Sequence, residues 1–315
     1  MICSKAPGKI LLFGEHFVVK GKPALGIAVS RYAVVCIKHG KGEFFSKQIG
    51  RIDHESKDML LFRTIIEKAS ERYSKKAVEI ENVDVYIDSE IPLGAGMGSS
   101  AAVSVAFTHA LLSYIGVDFS LSDVNEIAFE AEKRVHYRPS GVDNTLSVYG
   151  GLLYYQSGVF KRLDLKLPGN VEIVVVDTGL KRATGEVVRS VLERYDRVPV
   201  IMSKIYEAGE EIVNKALEYI KDANMIGLGE LMLMNHGLLW AIGVSCKECD
   251  EIVHEMIRQG AYGGKISGAG KGGVVIGLVD SSISSKILES IRQRGFKAFI
   301  VKPDYNGVSE IRGID

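Results

Sequence analysis

Cysteine is scarce in this chain, at four of 315 residues: Cys3, Cys36, Cys246 and Cys249. The last two form a CxxC, but no second CxxC or histidine pair lies nearby to complete a tetrahedral zinc site. The surrounding "SCKECDEIVHEMI" reads as the start of a helix, so two ordinary thiols are expected. An excess of charge of either sign is also missing. Lys plus Arg and Asp plus Glu number 39 each, which removes the electrostatic ground for a nucleic-acid or acidic-membrane partner. The longest apolar run, 101–117, is interrupted by Ser104, Thr108, His109 and Ser113 and suits a buried helix better than a membrane span. The opening "MICSKAPGKILLFGEH" has no basic segment followed by an apolar stretch and a cleavage site. No fixed-period repeat occurs. These absences predict a cytoplasmic protein whose partners are small molecules.

What is present is enough apolar material, 46% of the residues, for a sizeable core in two domains or one large one. Residues 1 to about 48 are rich in β-formers, 58–73 reads as a helix, and "VDVYIDS" at 83–89 alternates with period two. Helices are expected at 101–115 and from Ser122, as N-cap, to His136, with strands near 151–156 and 159–165. Pro and Gly punctuate "KLPGN" at 166–170, and a very apolar strand, "VEIVVVDT", starts behind it. The chain is therefore divided into 1–168 and 169–315. The second part reads as a strand, several helices over 186–259, a strand at 273–279, a helix at 282–293 and a strand at 296–302, a mixed α+β half.

Chemistry concentrates in four stretches. "PLGAGMGSSAA" at 92–102 runs a glycine-rich loop into a helix, which leaves backbone N–H groups at the positive end of the helix dipole, an arrangement that binds phosphate. Gly94, Gly96 and Gly98 permit close approach, while Ser99 and Ser100 put hydroxyls at the first turn, one to cap the helix and another to face a metal. "KAPGKILLFGEHF" brings Lys9, Glu15 and His16 together among glycines, with Lys9 able to serve a phosphate or a carboxylate. Glu132 falls on the inward stripe formed by Val124, Ile127, Ala128, Ala131 and Val135, where a carboxylate needs Mg²⁺ or a cationic side chain as partner. Just beyond, "RPSGVDNTLSVYGG" holds Asp143, either in an Asx-type turn or beside an attacking hydroxyl. "GGKISGAGKGG" at 263–273 fails the P-loop spacing and reads, taken alone, as a tight turn.

"PGKILLFGEHFVVKGKPAL", "PLGAGMGSSAA", "PSGVDNTLSVYGG" and "KISGAGKGG", in this order, resemble the GHMP small-molecule kinases over nearly the whole chain, and the first and third resemble the mevalonate kinases among them. "VDTGLKRATGEVV" at 176–188 and "MNHGLLWAIGVS" at 234–245 add looser support. The resemblance implies a two-domain α+β GHMP kinase fold, with a ribosomal protein S5 domain 2-like first domain, a ferredoxin-like second domain and a cleft between them. It implies ATP and Mg²⁺ as cofactors and mevalonate as the acceptor, on the route to isoprenoids. Other GHMP acceptors, such as phosphomevalonate or homoserine, and a non-catalytic nucleotide-binding regulator stand as alternatives. By the same resemblance, Gly94, Ala95, Gly96, Met97, Gly98, Ser99 and Ser100 form the phosphate-binding loop. Ser100 and Glu132 hold Mg²⁺; Asp143 is the catalytic aspartate and Lys9 its partner. Glu15, His16, Tyr149 and Thr184 contact substrate, and Gly268, Ala269 and Gly270 form the third motif. Where that motif is often an unbroken glycine run, this chain has Lys271. A homodimer is expected on family grounds alone.

Overall fold

The computed structural model describes residues 1–73, 82–135, 140–180 and 183–311. His136, the expected end of a helix, and Pro139, an expected turn residue, lie outside them. The first sheet is founded on β1 (Ile2–Phe13) and β2 (Ala24–His39), a long antiparallel pair. Its ladder slips between Pro7, opposite Tyr32, and Gly8, opposite Val29. Such a bulge bends a strand, and here it falls immediately before Lys9. Cys3 and Cys36 face each other across this ladder and form a disulfide, a pairing that no spacing in the sequence announces.

After β3 (Phe44–Ser46), β4 (Gly50–Arg51) and α1 (Lys57–Tyr73), β5 (Val83–Ser89) joins β2 on one side and runs parallel to β3 on the other. α2 (Ser99–Tyr114) packs on β1 and β2, with α1, α3 (Leu121–Val135) and α4 (Val142–Tyr149) against it. Ala101, Ala102, Ala106 and Ala110 are buried, and their small side chains let all of these elements approach one helix. Ser104 and Thr108 fit into this apolar setting because each hydroxyl donates to the carbonyl four residues earlier, at 3.0 and 2.7 Å. α3 starts two residues earlier than the sequence suggests. Ser120, not Ser122, caps it: Asp123 Oδ2 accepts from the Ser120 N–H at 2.7 Å while the Asp123 N–H reaches the Ser120 hydroxyl at 3.3 Å, a capping box. β6 (Leu152–Gln156) pairs with the first part of β2 and, in turn, with β7 (Val159–Leu163).

The second sheet opens with β8 (Val171–Asp177), whose residues are almost all buried, hence its continuous apolar run instead of alternation. Four helices follow, α5 (Thr184–Arg197), α6 (Pro199–Lys221), α7 (Met225–Ala241) and α8 (Lys247–Arg258). Then come β9 (Gly263–Ser267), β10 (Val274–Asp280), α9 (Ser281–Gln293) and β11 (Lys297–Val301). The spatial order β11-β8-β10-β9, antiparallel throughout, is that of a β-α-β-β-α-β ferredoxin-like unit. β9 corrects the sequence reading, which took its residues for part of a turn. A last strand, β12 (Ser309–Ile311), returns to the first sheet and pairs with β1, Cys3 opposite Ile311.

The two sheets meet along a seam built by the N-terminal motif. Phe17 leaves the first sheet and inserts into the second core, 5.0 Å from the Tyr206 ring. A Cβ at residue 209 would sit 2.4 Å from the Phe17 ring, so α6 needs glycine there. Ser267 of β9 accepts from the Leu11 N–H at 3.1 Å and donates to the Leu11 carbonyl at 3.0 Å. Lys22 pairs with Glu210 at 2.5 Å. No helix among the described residues is long and apolar enough to cross a membrane.

Candidate active site

Gly94, Gly96 and Gly98 have φ of 71, 79 and 73°, while Ala95 and Met97 between them do not take positive φ. This alternation turns successive N–H groups toward one concavity, an anion-binding nest. A Cβ at 94 or 96 would meet nothing within 4 Å, so glycine serves the backbone conformation there and not space. Ala95 and Met97 send their side chains into the core. The Lys9 N–H donates to the Met97 carbonyl at 2.9 Å and fastens the loop to β1. Glycine at position 8 eases that approach, since a Cβ there would crowd the same carbonyl oxygen at 3.0 Å. The cap of α2 is Gly98 itself, with no side-chain capping bond, so the serine cap expected from the sequence is not made.

The loop forms one wall of a cleft of about 590 Å³. Gly94, Gly96, Gly98, Ser99, Ser100, Glu132, Asp143 and Thr184 all line it, and Ile49, Phe62 and Leu93 make one part of it apolar. Asp143 stands in the first turn of α4, where Lys9 meets it from below: Lys9 Nζ is 3.1 Å from Asp143 Oδ1. The lysine side chain is 8% exposed and the carboxylate 41%, so the cation is buried and the carboxylate faces the cleft. Glu132 is buried as its stripe predicts; it accepts from the Ser100 hydroxyl at 2.7 Å, and Ser104 Oγ lies 3.1 Å away, sharing its one hydrogen with the Ser100 carbonyl. Among the described residues no group of three or more His, Cys, Asp or Glu side chains could hold a metal. A buried carboxylate beside a hydroxyl nevertheless fits Mg²⁺, a hard ion that takes one or two carboxylates and completes its shell with phosphate and water.

The other predicted residues lie outside this cleft. Glu15 is buried against Lys265 of β9, whose ammonium it holds in an ion pair, with the Asn235 amide 3.5 Å away. Burial holds the Lys265 pKa below the usual lysine value, opposed by the charge of Glu15. His16, at φ 64°, donates from Nε2 to the Ala269 carbonyl at 2.8 Å, so the first motif grips the third directly. Residues 268 and 270 to 273 all have positive φ, and a Cβ at 270 would sit 2.2 Å from the Val244 carbonyl oxygen. Lys271 is exposed, with its backbone N–H donating to Val244 at 2.6 Å. Tyr149 ends α4, half-buried.

Two residues escaped the sequence reading. Lys265 was assigned no role in the stretch whose P-loop spacing fails, although a charged residue within an otherwise small and apolar "GGKIS" was the available signal. Asn144, next to Asp143, lines the cleft at 2% exposure, and its amide nitrogen has no hydrogen-bond partner among the described residues.

The pattern described as "GHMP kinases N terminal domain" matches residues 61–151, and "GHMP kinases C terminal" matches 216–297. The chain is 38% identical over 299 residues to a mevalonate kinase of Pyrococcus horikoshii, covering 88% of each. It is 35% identical over 336 aligned residues to a mevalonate kinase of Pyrococcus abyssi, covering 99% of each. A solved structure titled L. major mevalonate kinase in complex with R-mevalonate matches with a TM-score of 0.83 and 29% identity over 95% of each chain. Similarity on this scale, spread over both sheets and the cleft, makes the chain a member of the GHMP kinase family, an ATP-dependent small-molecule kinase akin to the mevalonate kinases.

Proposed function

We propose that the chain transfers the γ-phosphoryl group of ATP to the 5-hydroxyl of mevalonate, giving 5-phosphomevalonate. The observation that carries the reading is the Lys9–Asp143 pair beside the nest of residues 94–98, in one cleft. Phosphoryl transfer asks for positioning and charge neutralisation more than for covalent help. The nest amides and the N-terminus of α2 take the nucleotide phosphates. Asp143 orients the acceptor hydroxyl and accepts its proton, and Lys9 supplies a fixed positive charge next to that carboxylate. Ser100 and Glu132 would hold Mg²⁺, which would supply neutralising charge for the nucleotide phosphates. Thr184, on the cleft wall at the start of α5, reaches the acceptor hydroxyl.

Glu15, His16 and Tyr149 belong to the acceptor end. Glu15 and His16 act there by holding β9 and the loop 268–270, through Lys265 and the Ala269 carbonyl. The division into domains at 168/169 is supported by the start of the second sheet at β8, with β12 as the strand that crosses back. For assembly we infer a homodimer, supported by Ile226, Met234 and Trp240, exposed apolar residues sharing one face of α7; sedimentation equilibrium at 34.4 kDa instead of twice that overturns it.

The test of function is ADP release from MgATP with mevalonate, phosphomevalonate, homoserine and galactose supplied separately, and phosphorus NMR of the product. Turnover selective for mevalonate with a 5-monophosphate is the expected result. Selective turnover of another acceptor, or none, overturns the assignment.

A further inference from the structure

The CxxC stands apart from the cleft, and the kinase reading gives it no role. Cys246 is the N-cap of α8 and Cys249 its third residue. These are the two positions that face each other in a capping box, and they bring the two sulfurs to 3.1 Å. Cys249 Sγ takes the place of the usual Glu or Gln, with the backbone amides of Cys246 and Gly272 directed at it. Gly272 lies two residues beyond Gly270 of the third motif, in the same loop; its φ is 116° and a Cβ there would lie 2.6 Å from Leu180 Cβ. Burial and the Cys246 thiol push the Cys249 thiol up to about 12, so it is inert alone. Cys246 is partly exposed at the N-terminus of α8, so it is the sulfur that an incoming disulfide reaches first.

We propose that Cys246 and Cys249 form a redox modification site, oxidised to a disulfide by a small disulfide of the glutathione class, and that the bridge displaces the third motif. The Cys246 thiolate attacks one sulfur of the oxidant, its S–S bond breaks, and one thiol leaves with the proton lost from Cys246. The Cys249 sulfur then attacks Cys246 in the mixed disulfide, passes its proton to the second departing thiolate, and closes the bridge. Two cysteine hydrogens and two electrons have moved to the oxidant, which ends as two thiols. Closing 3.1 Å to the roughly 2.05 Å of a disulfide moves sulfur by about 1 Å. Gly272, whose amide faces Cys249 and whose Cα packs near Leu180 and Thr178, moves with it, and through the loop so does the Ala269 carbonyl that anchors His16.

The experiment treats the full-length protein and Cys246→Ser with oxidised glutathione, alkylates free thiols, and maps peptides by mass spectrometry. Kinase kinetics are followed before and after dithiothreitol. The Cys246 side chain makes no capping bond, and serine is a preferred N-cap residue of similar size, so the variant retains its fold and its basal activity. The expected result is a Cys246–Cys249 bridge in the wild type, a fall of about tenfold in kcat/KM reversed by reductant, and no change in the variant. A persistent glutathione adduct on Cys246, or alkylation of both thiols after treatment, overturns the site. A bridge with unchanged kcat/KM overturns the coupling. The coupling rests on the kinase reading, whereas the bridge is read by mass alone, so failure of the acceptor assignment leaves that arm intact.

Discussion

Replacing Lys265 by Met should be among the most damaging single changes in this protein. The side chains of Lys265 and Glu15 are 0% and 1% exposed, and the ammonium is also 2.5 Å from the Ile266 carbonyl. Without Lys265, the Glu15 carboxylate keeps, among the described contacts, one long hydrogen bond from Asn235 at 3.5 Å. Breaking a buried pair by removing one partner costs about 3–5 kcal/mol, because the other charge stays desolvated. Against a typical total of about 5–15 kcal/mol, that is about a fifth or more of the stability. Glu15→Gln in the Lys265→Met background removes the stranded charge and should recover much of the loss. Guanidinium unfolding followed by circular dichroism reads both variants, with the slope m as a check that the same surface is exposed. The reasoning fails if Lys265→Met unfolds within about 1 kcal/mol of the wild type, or if the double variant is no more stable than the single one.

Asp143→Asn should lower kcat by several orders of magnitude while MgATP affinity stays within a few-fold, because charge is lost at the acceptor and not at the nucleotide; comparable ADP release by variant and wild type refutes the role. Glu132→Gln should raise the Mg²⁺ concentration needed for half-maximal rate by about tenfold or more, and an unchanged Mg²⁺ titration removes Glu132 from the metal site. Acid stability should depend on Glu255, which Arg258 above all, with Ser290, Gln259 and Arg294, holds at a pKa of about 2. Because the folded value lies below the unfolded one, its contribution is full above about pH 4.5 and is lost as pH falls toward 2. Glu255→Gln should therefore lower the midpoint of urea unfolding at pH 7 and narrow its gap to the wild type at pH 3, and a gap independent of pH contradicts the assignment.

Local pattern made much of the site legible. The inward position of Glu132 followed from the spacing of Val124, Ile127, Ala128 and Ala131, and the nest at 94–98 from glycines at alternate positions. The partners of these groups depend on tertiary register. Lys9 meets Asp143 because a bulge follows Pro7 and because Gly8 admits the loop, neither of which a linear pattern displays. Cys3 and Cys36 join because the β1/β2 ladder sets them opposite one another. Lys265 was hidden by its neighbours: among glycines a buried strand and a turn look alike until the flanking strands are known. β12, only three residues long, takes its identity from the edge of β1 and not from its own composition.

That short strand also sets the order in which the molecule can be completed during synthesis. The outer edge of β1 at Cys3, Ser4 and Lys5 waits for Ile311, Glu310 and Ser309, which leave the ribosome after every other element described. Until then the first sheet carries unpaired backbone groups along a strand that also bears Lys9, and an open edge invites pairing with other chains. The nascent protein is thus open to mispairing along β1 until β12 arrives, and deletion of 309–311 would open that edge again.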